Sequence, residues 1–96
     1  MKNVFPFELH TQGHGGGFVI FETSEAVALS LMALRRAVLR GEAQQSVLLE
    51  FDAQVVVIDG TGLDDLFAHL LSGRLKAVRC GRHEACVVES IRLTDA

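Results

Sequence analysis

The sequence is poor in the residues that mark several specialised classes of protein. Among 96 residues it has two cysteines, one proline, no tryptophan and no tyrosine. Two cysteines cannot form the disulfide framework of a small secreted scaffold. Without Trp and Tyr, and with a net charge of −3, the chain offers few rings for base stacking and no overall attraction to phosphate. Nucleic acid is therefore not an expected partner. The longest strongly apolar stretch, Ala26 to Leu34, is too short to cross a bilayer and is followed at once by Arg35 and Arg36. No membrane partner is expected. The start, MKNVFPFELH, has neither the cationic nor the continuous apolar region of an export signal. These absences together lead to the expectation of a cytoplasmic protein with reduced thiols.

What is present suits a folded chain. Residues are 49% hydrophobic and 22% charged, enough apolar surface to offset the entropy of ordering. The length suits one domain over residues 1–96, burying roughly 60 to 65% of the surface its unfolded form exposes. Residues 1–72 carry four basic and nine acidic side chains, and residues 73–96 carry five basic and three acidic. Arg outnumbers Lys seven to two, a bias expected of a GC-rich bacterial genome.

Along the chain, Phe5, Phe7 and Leu9 alternate with polar neighbours, as in a half-buried strand, and Pro6 places that strand at an edge. Gly13 to Gly17 has four glycines in five positions and reads as a turn into a second strand, Phe18 to Glu22. Thr23 or Ser24 can cap a helix over about residues 24–40, with Gly41 ending it. Ser46 to Phe51 and Gln54 to Ile58 predict a central hairpin. Thr61 and Asp64 match a relaxed capping box, and Leu63, Leu66, Phe67, Leu70 and Leu71 form the stripe of a second helix closed by Gly73. His69 falls off that stripe and is expected to be exposed. A third hairpin follows, Leu75–Cys80 with Cys86–Leu93. The expected fold is α+β in the order ββαββαββ: a mainly antiparallel sheet of about five or six strands carrying two helices.

Four groups of residues invite a chemical reading. His14-Gly15-Gly16-Gly17 resembles the glycine-rich oxyanion loop of lipases and esterases, but no Gly-x-Ser-x-Gly nucleophile turn accompanies it, and a plain hairpin tip accounts for it. Asp59-Gly60-Thr61-Gly62 lies between a strand and a helix, the right place to hold an anion, yet it has no Lys and is ringed by Asp59, Asp64 and Asp65. Cys80, His83 and Cys86 supply three soft ligands around one hairpin, one short of a closed zinc site; as small residues facing each other across the hairpin, the thiols need no metal. Arg79, Arg82 and Arg92, with Arg74 and Lys76, form a basic strip that reads as an anion surface or as a solvated strand face.

The feature carrying most information is the first expected helix, apolar nearly all round. More apolar surface than one sheet can cover suggests a symmetric dimer, with Leu29, Leu31, Met32 and Leu34 at the interface. The functional expectation is a non-catalytic protein-interaction or homodimeric assembly module without a cofactor. The alternative is a small-ligand or anion-binding domain using His14, Gly15, Gly16 and the Gly13–Gly17 loop, the Asp59–Gly62 turn, or the C-terminal arginines. No set of paired carboxylates or Ser/His/Asp residues favours an enzyme.

Overall fold

The computed structural model describes residues 4–11 and 17–96. Among them run nine strands: β1 (Phe7–Leu9), β2 (Phe18–Glu22), β3 (Ala26–Ser30), β4 (Leu34–Arg40), β5 (Gln45–Phe51), β6 (Gln54–Thr61), β7 (Leu75–Arg79), β8 (Gly81–His83) and β9 (Cys86–Asp95). The single α-helix, α1 (Asp64–Leu71), joins β6 to β7. One sheet has the order β1-β7-β2-β3, the other β4-β5-β6-β9-β8.

Two chain segments pass directly from one sheet into the other. β3 ends in a single 3-10 turn at Leu31–Ala33 and continues as β4 in the second sheet. Similarly, β7 lies in the first sheet and passes through Cys80 into β8 in the second. Such bent strands make the corners between sheets packed face to face. Backbone bonds tie the corners down: the Asp52 N–H donates to Ala33 (3.0 Å), and the Arg79 and Arg82 N–H groups donate to Pro6 and Val4 (2.8 Å each). The N-terminal segment thus reaches from β7 across to β8.

Between the sheets lies the core. Along β5 residues Gln45, Val47, Leu49 and Phe51 are buried while Ser46, Leu48 and Glu50 are half-buried, the alternation of a strand with one inward face. Val19 and Phe21 of β2 meet Val56 and Ile58 of β6, Val88 and Ile91 of β9, and Leu66 and Leu70 of α1 in one cluster. The Phe21 and Phe51 rings join the sheets edge to face, with centroids 6.2 Å apart.

The α+β expectation is overturned: about 60% of the described residues are strand and 14% helical, with one α-helix and two sheets among them. Residues 24–40, expected to form a helix, hold β3, the 3-10 turn and β4. Their Ala, Leu, Met and Arg content favours helix, yet Val27 and Leu29 are half-buried while Ala26 and Ala28 are exposed, a period of two set by pairing with β2. Ser30 ends the strand by accepting from the Met32 N–H at 3.2 Å. The expected first hairpin is also absent: β7 inserts between β1 and β2, antiparallel to the first and parallel to the second. In the third hairpin β8 replaces β7, with Glu84 in the left-handed region (φ 54°) at its tip.

The β5–β6 hairpin and the second helix are as expected, with one difference in the cap. Thr61 belongs to β6, and the helix starts after Leu63 with no side-chain cap. The Leu63 N–H donates instead to the buried Gln45 Oε1 at 2.7 Å. Beside it, at an irregularity in the β6–β9 pairing, Gly60 lies so close to β9 that a Cβ would land on the Val87 carbonyl. Gly60→Ala is expected to cost about 3 kcal/mol or more in denaturant unfolding. Gly73→Ala, where φ is +76° but nothing lies within 4 Å, should cost only about 1 kcal/mol.

Candidate functional site

Three of the sequence-level sites are placed apart or already satisfied. His14, Gly15 and Gly16 fall outside the described residues. Arg79, on β7, is held by Glu22 of β2 (2.8 Å) and by Glu8 of β1. These carboxylates raise its pKa further, and the Arg79 hydrogen bond holds Glu22 below its ordinary value. Arg92 donates to Asp59 at 3.0 Å. Arg82 is exposed on β8. The strip is therefore divided between two sheets, and two of its five charges, Arg79 and Arg92, are matched inside the fold.

Asp59 sits on β6, not in a turn. Its carboxylate accepts from Ser46 on β5 (2.6 Å) and from Ser90 (3.1 Å) and Arg92 on β9. The Ser46 bond leads in holding its pKa below the ordinary aspartate value, with Ser90 and Arg92 adding to it against partial burial. Gly60 and Gly62 pack against the carbonyls of Val87 and Ala85.

Cys80 and Cys86 do not face each other. His83 is the residue opposite Cys86, and Cys80 lies by Glu89, whose carbonyl accepts from its thiol at 3.6 Å. His83 and Cys86, with Asp65, border a cavity of about 140 Å³ whose apolar wall is Phe5, Pro6 and Phe7. The Phe5 ring stacks on His83 at 4.1 Å. Burial, and then the charge of Asp65, push the Cys86 thiol up, the reverse of what a nucleophilic or metal-binding thiolate requires. Among the described residues no three His, Cys, Asp or Glu side chains are grouped to hold a metal ion. A wider hollow of about 520 Å³ opens beside Phe5, Phe7, Leu9, Glu8 and His69. Of its two polar groups, Glu8 is committed to Arg79, and His69, half-buried rather than exposed, tilts against Phe7 at 5.7 Å. Polar groups do not converge there as in a ligand pocket.

The four expected interface residues are dispersed by the loss of the helix. Leu29, Leu31 and Leu34 pack against the core, while Met32 is 95% exposed on the 3-10 turn. The free edge of β3, immediately before them, has a different character. Two bonds bracket β3: the Thr23 N–H donates to Glu25 (2.9 Å) and the Leu31 N–H donates to Gly17 (2.8 Å). Hydrogen-bonded positions alternate in an antiparallel ladder, so Val27 and Leu29 turn their backbone groups toward β2. Ala26, Ala28 and Ser30 turn theirs outward, where the sheet ends.

Each of the other sheet edges is defended. β1 and β8 are three residues long, β1 has an irregular register, and the Arg82 N–H of β8 is occupied by Val4. β4 bears Arg35, Arg36 and Arg40 and a register shift, with Arg35 paired to Asp52 and Arg36 to Glu50. β3 carries no charge, no proline and no bulge over its five residues. By the devices that ordinarily block edge pairing, it is open. Sequence reading missed this edge because the same alanines and leucines also fit a helix; the signal available was Val27 and Leu29 alternating with Ala26 and Ala28.

The depressed pKa values of Asp59 and Glu22 fix a pH dependence. A carboxylate whose folded pKa lies below its unfolded one stabilises the fold above the unfolded value and loses that contribution as pH falls through the folded value. Stability should therefore decline as pH drops from about 5 toward 3. Asp59→Asn should be less stable than the wild type at neutral pH and lose less stability on acidification, as read from urea midpoints across that range. Comparison with known proteins finds no matching family model, no matching curated protein and no matching solved structure.

Proposed function

We propose that this chain is a non-catalytic interaction module that takes up an extended segment by strand addition along β3. The carrying observation is the outward set of backbone donors and acceptors at Ala26, Ala28 and Ser30, on the one edge among the described residues that has none of the usual protections. Main-chain hydrogen bonds supply the attraction in this mode, and side-chain pockets supply selectivity. A groove of about 120 Å³ lies at the Ser30 end of the edge, with Leu29, Ala33, Phe51 and Gln54 in its lining. It can receive an apolar side chain of an added strand. The two internally matched arginines, the elevated Cys86 thiol and the non-converging hollow all favour this reading over anion binding or catalysis.

Ala28→Pro tests it. Proline is tolerated on an edge strand when its missing N–H would have pointed outward, so this variant should keep the fold while removing a central donor. In an NMR titration with a synthetic peptide copying residues 24–32, the amides of Ala26, Ala28 and Ser30 should shift in the wild type. In Ala28→Pro the peptide should leave the spectrum unchanged. Shifts confined to Phe5, His69 or His83 would overturn the assignment of β3.

A further inference from the structure

The geometry points to a second copy of this chain as the occupant of the edge, paired antiparallel about a twofold axis through Ala28; this inference rests on β3 being a docking edge. Two features of the edge are self-complementary. The first is backbone phase. With Ala28 opposite the partner's Ala28, Ala26 falls opposite the partner's Ser30 and Ser30 opposite the partner's Ala26, so every outward donor meets an outward acceptor. A one-residue slip would set these groups against inward-turned ones and lose the ladder.

The second is side-chain size and shape. Ala26, Ala28 and Ser30 are small enough to keep the outer face of the seam flat, so Phe18, 53% exposed and paired with Ser30, can reach over toward the partner's Ala26. On the inner face Val27 meets the partner's Leu29 and Leu29 meets the partner's Val27, each contact at the mouth of the groove by Ala33 and Phe51. The seam therefore runs through residues 26–30, with Leu29 in it, and leaves Leu31 and Leu34 inside their own subunit.

Five residues with small side chains make a contact at the low end of stable interfaces, so a dissociation constant in the range of about 1 to 100 µM is expected. Light scattering should show the mass rising from 10.4 kDa toward twice that value with concentration, and Ala28→Pro should hold it at the monomer value. Cysteine cross-linking in a Cys80→Ser, Cys86→Ala background reads the register. Facing Cα atoms at a hydrogen-bonded antiparallel pair lie about 5.5 Å apart, within disulfide reach. Ala28→Cys alone should oxidise to a covalent dimer. Ala26→Cys and Ser30→Cys should cross-link with each other when mixed, and neither should do so alone.

A chain that stays monomeric to about 1 mM and forms no Ala28→Cys dimer would overturn self-pairing. So would a dimer that survives Ala28→Pro, or Ala26→Cys cross-linking to itself as readily as Ala28→Cys. The peptide titration separates the two levels. Amide shifts on β3 in a chain that never dimerises would leave the docking edge standing and assign it to a different extended partner, whereas no shifts and no dimer would remove both.

Discussion

The arrangement depends on two chain segments that each run from a strand of one sheet directly into a strand of the other. Because β3 runs into β4 and β7 runs into β8, the sheets cannot separate without breaking a continuous chain at a corner. The inner faces are thereby held against one core, and Val19, Phe21, Leu49, Val56 and Ile58 are fully buried in a chain of only 96 residues. The two corners are finished differently. At β7–β8 the N-terminal segment crosses the bend and occupies the outward N–H groups of Arg79 and Arg82. At β3–β4 the Leu31 N–H donates to Gly17 and the Ala33 carbonyl accepts from Asp52, while among the described residues β3 keeps an unpaired side. An open edge is thus a consequence of how the second corner is made.

Polar groups follow the same need for closure. Arg79 sits where β1, β7 and β2 come together and draws Glu8 and Glu22 to one guanidinium. Asp59 does the equivalent for β5, β6 and β9 through Ser46, Ser90 and Arg92. Each cluster spans three neighbouring strands at partly exposed positions, where a single ion pair contributes little and a hydrogen-bonded network contributes more. Charges that look available in the linear order are spent on register. Two of the five basic residues in the C-terminal quarter, Arg79 and Arg92, are used in this way.

Legibility in the sequence follows the distance between interacting residues. The β5–β6 hairpin joins neighbours through Asp52-Ala53, and α1 has a complete apolar stripe, so both could be read locally. The position of β7 between β1 and β2 depends on contacts more than fifty residues apart, such as Phe21 with Val78, and no local pattern encodes them. Thr61 could not be recognised as a strand residue because the Gly60 approach to Val87 that extends β6 is itself long-range. The candidate edge was hidden for a related reason: whether Ala28 faces solvent or a neighbour depends on β3 being the last strand of its sheet, beyond β2.

Residues 24–40 carry the sharpest conflict between local preference and tertiary context. Alanine and leucine lower the cost of helix, and a helix here would be apolar on every side with one small sheet to cover it. As a strand the same residues divide cleanly: Val27 and Leu29 turn inward, while Ala26 and Ala28 turn out. The small outward residues relieve the burial problem but leave nothing to repel an incoming strand. Bulky or charged residues at 26 and 28 would defend the edge, as Arg35 and Arg36 defend β4. The alanines that make the segment look helical in isolation are therefore the same groups that leave its edge unprotected in the folded state, and a single structural choice, strand over helix, turns a helix-forming composition into an open edge.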